Sequence, residues 1–327
     1  MLGVLVLFIG VDIGGTKCAV TCGLKTKDGK IEFVNKSRIE TKDYSEPYDV
    51  LEKLAEEIEK FNIDKIEAIG ISCGGPLDSA SGVILSPPNL PGWDNIKITE
   101  FFKNRFGVEA YLQNDANACA LAEWKFGAGA GTENMIFLTF GTGMGAGLVL
   151  NGKLYSGTND MAGEVGHIRL EDDGPIGFGK AGSFEGFCSG GGIAQLGKAK
   201  AKELLQANKP CGFCKSTDEI DKITAKSIAE SAKCGDKDAI EIYKLSARRL
   251  GQSLSFLIDI LNPQKIVIGS VFTRSYDLMY DEMRKVIDAE TLPLSNNVCT
   301  VCKAALGEQI GDYAAISVAI DFYERNL

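Results

Sequence analysis

The sequence predicts a duplicated α/β fold built from two similar halves. Three observations predict it. Residues 6–21 (VLFIGVDIGGTKCAVT) and 134–150 (NMIFLTFGTGMGAGLVL) share one pattern: a buried strand, a Gly/Thr turn and a second apolar strand. Two further apolar runs end in glycine, IEAIGISCGGP at 66–76 and KIVIGSVF at 265–272. Helix-periodic stretches fall between the strands, at 47–61, 114–126, 239–261 and 310–325. Strands followed by helices, twice over, read as an internal duplication. Two halves of similar make are expected to leave a cleft between them, a usual place for a ligand. Asp28-Gly29 and Asn151-Gly152 read as hairpin turns.

Bulk properties narrow the class. A chain of 327 residues allows about two domains and an ample core. Glycine, 38 of 327 residues, is near 12% against about 7% in average proteins, so its placement matters. A net charge of -9 and the lack of a basic run argue against nucleic acid as a partner. Ten cysteines are too few for a disulfide scaffold and suit a reducing cytoplasm. Cys299 and Cys302 sit in a strand-like segment, where residues three apart face opposite ways, a poor chelate. Cys211 and Cys214, in KPCGFCK, can bind metal or oxidise, but no further ligands stand at zinc-site spacing. The apolar N-terminus MLGVLVLFIGVDIGG lacks a basic flank and a cleavage site. It reads as a buried strand rather than a signal peptide or a membrane span, with its first few residues an uncertain start.

The glycine-rich loops do not fit the two commonest nucleotide motifs. Gly141, Gly143 and Ala146 match a relaxed dinucleotide fingerprint, but that motif must open a helix, and LVLNGKLY reads as a strand. GPIGFGK at 174–180 is followed by Ala181 and lacks a preceding strand, so it is no P-loop. What remains is a strand–turn–strand phosphate cradle. Gly14, Gly15, Gly141 and Gly143 let the backbone approach a phosphate closely. Thr16 and Thr142 add hydroxyl donors, Lys17 adds charge, and Asp12 at a strand end can hold Mg²⁺ directly or through water. Asp115 follows an apolar strand and starts a helix, a position that suits either an N-cap or a general base.

In this order, DIGGTK (12–17), GGP (74–76), PNLPGW (88–93), QNDANA (113–118), TFGTGMGAG (139–147), AGEVGH (162–167) and NPQKIVIG (262–269) resemble the ROK family of sugar kinases and sugar-responsive repressors. The resemblance covers nearly the whole chain. It implies the duplicated actin-like ATPase (ribonuclease H-like) fold, with two domains around a central cleft. One domain is expected over 1–125 plus 308–327, the other over 126–307. It implies ATP and a small-molecule sugar as ligands, and a homodimer. Asp115 is then the catalytic base. Gly75, Asn89, Asn114, Glu164, His167 and Glu185 are the implied sugar-binding residues, with Gly269 and Ser189–Gly192 near the adenine or ribose. Asn89 and Trp93 are expected on a proline-stiffened loop over the cleft, either facing the sugar or closing over it, or simply packed at the surface.

One segment departs from the family pattern. Many members bind zinc through a cysteine-rich stretch, here IGFGKAGSFE (176–185), with Ile176, Phe178 and Ser183 at the cysteine positions. No structural zinc is expected, and packing by Ile176 and Phe178 is expected to hold the loop instead. The resemblance thus implies an ATP-dependent hexose kinase of glucokinase type, acting on the 6-hydroxyl. Kinases of N-acetylmannosamine, N-acetylglucosamine, allose or fructose, and a silent sugar sensor, stand as alternatives. A repressor is disfavoured, since only eleven residues precede Asp12.

Overall fold

The computed structural model describes residues 6–63 and 65–326, so the question of the first few residues lies outside it. The chain folds as two compact units. The first comprises Met1–Gly131, Gly147–Ala162 and Ala305–Leu327; the second comprises Thr132–Ala146 and Gly163–Ala304. The block 126–307 expected for the second half is therefore interrupted. Residues 147–162 group with the first unit because Gly147 sits directly on the Asp115–Phe126 helix, where a Cβ would come within 2.5 Å of the Ala120 Cβ. Further along, the Asp160 carboxylate accepts both the backbone N–H and the hydroxyl of Ser79, at 2.8 and 2.7 Å.

The first unit holds a five-stranded sheet of β1 (Val6–Ile13), β2 (Lys17–Lys25), β3 (Ile31–Glu40), β4 (Ala68–Cys73) and β5 (Ala110–Asn114), in the order β3-β2-β1-β4-β5. β1, β2 and β3 form an antiparallel meander, while β4 and β5 run parallel to β1. Alternation along β1 assigns its two faces. Ile9, Val11 and Ile13 join the core with Val50, Leu51, Leu54 and Ile58 of the Pro47–Glu59 helix. Phe8 faces the other way, toward Ile316, Ala319 and Ile320 of the Ile310–Arg325 helix. That helix lies so close to the sheet that a Cβ on Gly70 would come within 2.1 Å of the Ala315 carbonyl oxygen. Asp12 shares the parity of Phe8, which aims it at the start of this same helix.

The second sheet repeats the plan with β6 (Met135–Phe140), β7 (Met144–Leu150), β8 (Lys153–Tyr155), β9 (Lys265–Ile268) and β10 (Thr300–Lys303), in the order β8-β7-β6-β9-β10. β9 runs parallel to β6 and to β10. Both sheets thus share one strand order, the structural form of the sequence echo. Cys299 falls just before β10, so only Cys302 of that pair lies in a strand. In the second unit the long Lys237–Leu261 helix buries Ala247, Leu250, Leu254 and Ile258, and the Tyr276–Glu290 helix beside it buries Met279, Met283 and Ile287. Residues three and four apart fall on one helical face, which explains both stripes. Among the described residues no helix is long and apolar enough to cross a membrane.

One buried acid ties distant parts of the first unit together. Glu123, fully buried on the Asp115–Phe126 helix, accepts the backbone N–H groups of Ala128 (2.7 Å), Ala305 (3.1 Å) and Leu306 (2.9 Å). Glu123→Ala leaves these donors without their partner. It is expected to cost about 3 kcal/mol or more in chemical denaturation, with Glu123→Gln losing less.

Candidate active site

In the first unit the parallel strands end in register: Ile13 pairs with Cys73, and Cys73 with Asn114. The residues that follow them, Gly14-Gly15, Gly74-Gly75 and Asp115, therefore line one edge of the sheet, where open α/β sheets bind ligands. Gly15 is required there, because a Cβ would come within 2.1 Å of the Asn89 carbonyl oxygen. The Asn89 side chain lies beside Gly74, and the Asn114 side chain beside Gly75. This gathers Asp12, Gly14, Gly15, Gly75, Asn89, Asn114 and Asp115. Thr16 is exposed at the turn. Lys17 instead pairs with Glu40 across β2 and β3, at 3.3 Å.

The sequence left Asp115 two readings, cap or base. Asn114 is the N-cap: its Oδ1 accepts the Ala116 N–H at 2.9 Å. Asp115 Oδ1 accepts the same N–H at 2.8 Å, while its side chain still reaches solvent. Protein crowds it enough that lost hydration raises its carboxyl above the usual value, partly offset by the Ala116 N–H. Asp12 is pushed up to about 6, by burial first and then by the charges of Asp115 and Asp312. The Ser72 hydroxyl and Lys36 oppose that rise. Lys36 is spoken for, since it pairs with Asp312.

In the second unit, the β6–β7 turn, the Glu164–His167 turn and the short Phe184–Phe187 helix interlock. Glu185 Oε2 accepts the Met144 N–H at 3.0 Å and occupies the space a Cβ on Gly143 would need. Gly166 packs on the Met144 carbonyl and the Glu185 Cβ, which brings the turn of Glu164 and His167 to Glu185. Glu164 is exposed, and His167 and Glu185 are half-buried.

Gly141 and Thr142 also line a cavity of about 920 Å³ that belongs to the second unit. Gly190 and Gly191, at the start of the Gly190–Gln206 helix, form part of its wall, and the Gly190 N–H bonds the Gly141 carbonyl at 2.8 Å. Lys226, Lys233 and Arg274 bring cations to the lining, and Ala225, Ala229 and Val271 bring apolar surface. Gly269 is not among the lining residues; it packs on Phe137, and its neighbour Ser270 faces the cavity instead. Thr224, Lys226 and Lys233 were not legible as site residues. The available signal was the short amphipathic helix Ala225–Lys233 behind its capping box.

Two expectations are corrected. The Trp93 indole is turned into the fold: it is 3% exposed and belongs to the first unit's core with Leu90 and Ile96, and it borders, with Gly15 and Asn89, a cavity of about 240 Å³. Ile176 and Phe178 do not hold the 174–183 loop by packing, since they are 55% and 73% exposed. Polar bonds hold it. Gln195 brackets the Ile176 backbone at both N and O, Arg169 donates to the Ala181 carbonyl, and Lys180 donates to the His167 carbonyl. Ser183 is buried and caps the next turn through the Gly186 N–H. Cys214 is buried, with its thiol on the Ser216 carbonyl, and Cys211 is half-buried. Among the described residues no group of three or more His, Cys, Asp or Glu side chains is placed to hold a metal ion.

The chain is 31% identical to the glucokinase of Thermotoga maritima over 312 residues, 95% of this chain and 96% of that one. It is also 31% identical to a xylose repressor of Caldicellulosiruptor bescii over 225 residues, 68% of this chain and 55% of that one. A ROK family glucokinase from Streptomyces griseus, solved in complex with glucose and AMPPNP, matches with a TM-score of 0.71 and 28% identity, over 97% of this chain and 99% of that one. The two sheets of one strand order are those of the duplicated actin-like ATPase (ribonuclease H-like) fold. Residues 8–321 match the ROK family from the first strand into the last helix, and the chain belongs to that family.

Proposed function

We propose that this protein is an ATP-dependent hexose kinase that converts glucose to glucose 6-phosphate, with Asp115 as general base. The observation that carries the reading is Asp115 itself. It stands at a strand end beside Asp12, its capping duty shared with Asn114, and its carboxyl has a raised proton affinity. A base of raised pKa takes the proton of an attacking hydroxyl more readily. Gly75, Asn89, Asn114, Glu164, His167 and Glu185 hold the sugar hydroxyls, which both donate and accept.

ATP is the phosphate donor in this reading. Its phosphates lie on the turns of Gly14-Gly15-Thr16 and Gly141-Thr142-Gly143, with Lys17 exchanging Glu40 for phosphate. Its nucleoside takes the 920 Å³ cavity, whose volume, apolar walls and glycine helix start suit it. Gly269 shapes that cavity through Ser270. The residues also fit Mg²⁺. Asp12 repels Asp115 and Asp312, a strain that a cation relieves, and Mg²⁺ needs only one or two carboxylates because it keeps waters and takes phosphate oxygens. Bound there, the ion neutralises phosphate charge.

Ten free thiols fit the cytoplasmic setting that belongs to the reading, as does the homodimer implied by the family. A non-catalytic sugar sensor is the second reading, favoured by the likeness to a xylose repressor. Assaying ADP release with ATP, Mg²⁺ and a panel of glucose, N-acetylmannosamine, N-acetylglucosamine, allose and fructose separates the two. The expected result is turnover, best with glucose and unchanged by a chelator that strips zinc but not Mg²⁺. Sugar binding without turnover on any hexose supports the sensor instead.

A further inference from the structure

Phe178 is held where a large apolar residue is hard to account for by folding alone. It forms, with Gly179, the tip of the hairpin between Ile176–Gly177 and Lys180–Ala181. Its φ is +42°, in the left-handed region that disfavours bulky side chains, and Gly179 follows at +77°. A Phe tolerated there for packing would be buried, yet it is 73% exposed. The hairpin beneath it is firmly set. Gly177 is wedged against Glu185 and Gly186, where a Cβ would come within 2.7 Å of the Glu185 Cβ. Lys180 Nζ donates to the His167 carbonyl at 2.7 Å. The Phe178 ring meets the His167 ring edge-on, with centroids 5.3 Å apart and planes at 81°. The hairpin thus carries a solvent-facing aromatic against His167, while Gly177 beside it packs on Glu185, and His167 and Glu185 bind sugar in the proposed function.

We propose that Phe178 is a specificity-determining residue, its ring an apolar platform for one face of a pyranose. The inference rests on the sugar-site reading of His167 and Glu185. A pyranose with equatorial hydroxyls, as in the gluco configuration, presents its axial C–H groups on its flat faces. An aromatic ring covers such a face while the polar neighbours take the hydroxyls at the rim. The platform therefore favours gluco-configured pyranoses over sugars lacking such a face.

The test is calorimetric titration of glucose into wild type, Phe178→Gly and Phe178→Tyr, with thermal melts of all three and KM and kcat where turnover is present. Phe178→Gly is expected to weaken glucose binding about tenfold, with the loss in Kd and KM rather than kcat. Its melting temperature is expected to be no lower than wild type, since glycine suits the left-handed backbone. Phe178→Tyr keeps the ring and is expected to bind within about twofold of wild type. A Phe178→Gly variant that binds glucose as wild type does overturns the platform, as does a loss of binding accompanied by a lowered melting temperature. Because Kd is read without turnover, a wild type that binds glucose but transfers no phosphate counts against the kinase and leaves the platform testable. A wild type that binds no hexose overturns the sugar site itself.

Discussion

Asp115→Asn is expected to lower kcat for hexose phosphorylation by about 10²–10⁴-fold while hexose affinity stays within a few-fold of wild type. Asparagine has the size of aspartate and still accepts a hydrogen bond from the sugar hydroxyl, but it cannot take the proton. The local backbone has no reason to shift. Asn114 keeps its bond to the Ala116 N–H, so the helix start remains capped. The charge that is removed is one that lost hydration disfavours, so the variant should be no less stable than wild type. Paired calorimetry and steady-state kinetics check this. Had Asp115 been a cap alone, turnover would persist, because asparagine caps a helix as well as aspartate does.

Asp12→Asn is expected to abolish the proposed turnover and stabilise the fold. The Asp12 carboxyl is raised from 3.8 to about 6, so the folded chain holds that proton more tightly than the unfolded chain does. Stability therefore falls as pH rises from about 4 to about 6, and the full cost is present above that range. At neutral pH the cost is about 2 kcal/mol, allowing for the partial exposure of the group. Asparagine removes it and can still accept from Ser72. Urea denaturation at pH 4.5 and 7.5 reads the effect: the variant's advantage is expected at 7.5 and to shrink at 4.5. Wild-type kcat/KM is expected to fall on the acid side as the Asp12–Asp115 pair takes up a proton, both carboxyls being raised above their usual range. A gain in stability with loss of turnover is the mark of a residue kept for its chemistry.

How much of this was legible in the sequence depended on whether local pattern and tertiary position agreed. The helices predicted at 47–61, 114–126 and 310–325 appear at Pro47–Glu59, Asp115–Phe126 and Ile310–Arg325, because period and capping both act locally. The strand–turn–strand segments around Gly14-Gly15 and Gly141–Gly143 were legible for the same reason: a strand, a glycine-rich turn and a second strand leave few other conformations. Trp93 and Phe178 were misread because an apolar side chain in a loop carries no period to say which way it faces. The wall of the cavity at 224–233 was missed because its polar residues look like any solvated helix face. Glu123 looked like an ordinary helical acid. Two of its three partners lie at 305 and 306, beyond the reach of any local pattern.

The central claim is phosphoryl transfer to a hexose hydroxyl, and ³¹P NMR of purified protein with ATP, Mg²⁺ and glucose tests it most directly. Loss of the ATP γ-phosphate signal and growth of glucose 6-phosphate are expected, both absent with Asp115→Asn. A wild-type protein that binds glucose and ATP under these conditions yet forms no sugar phosphate would contradict it.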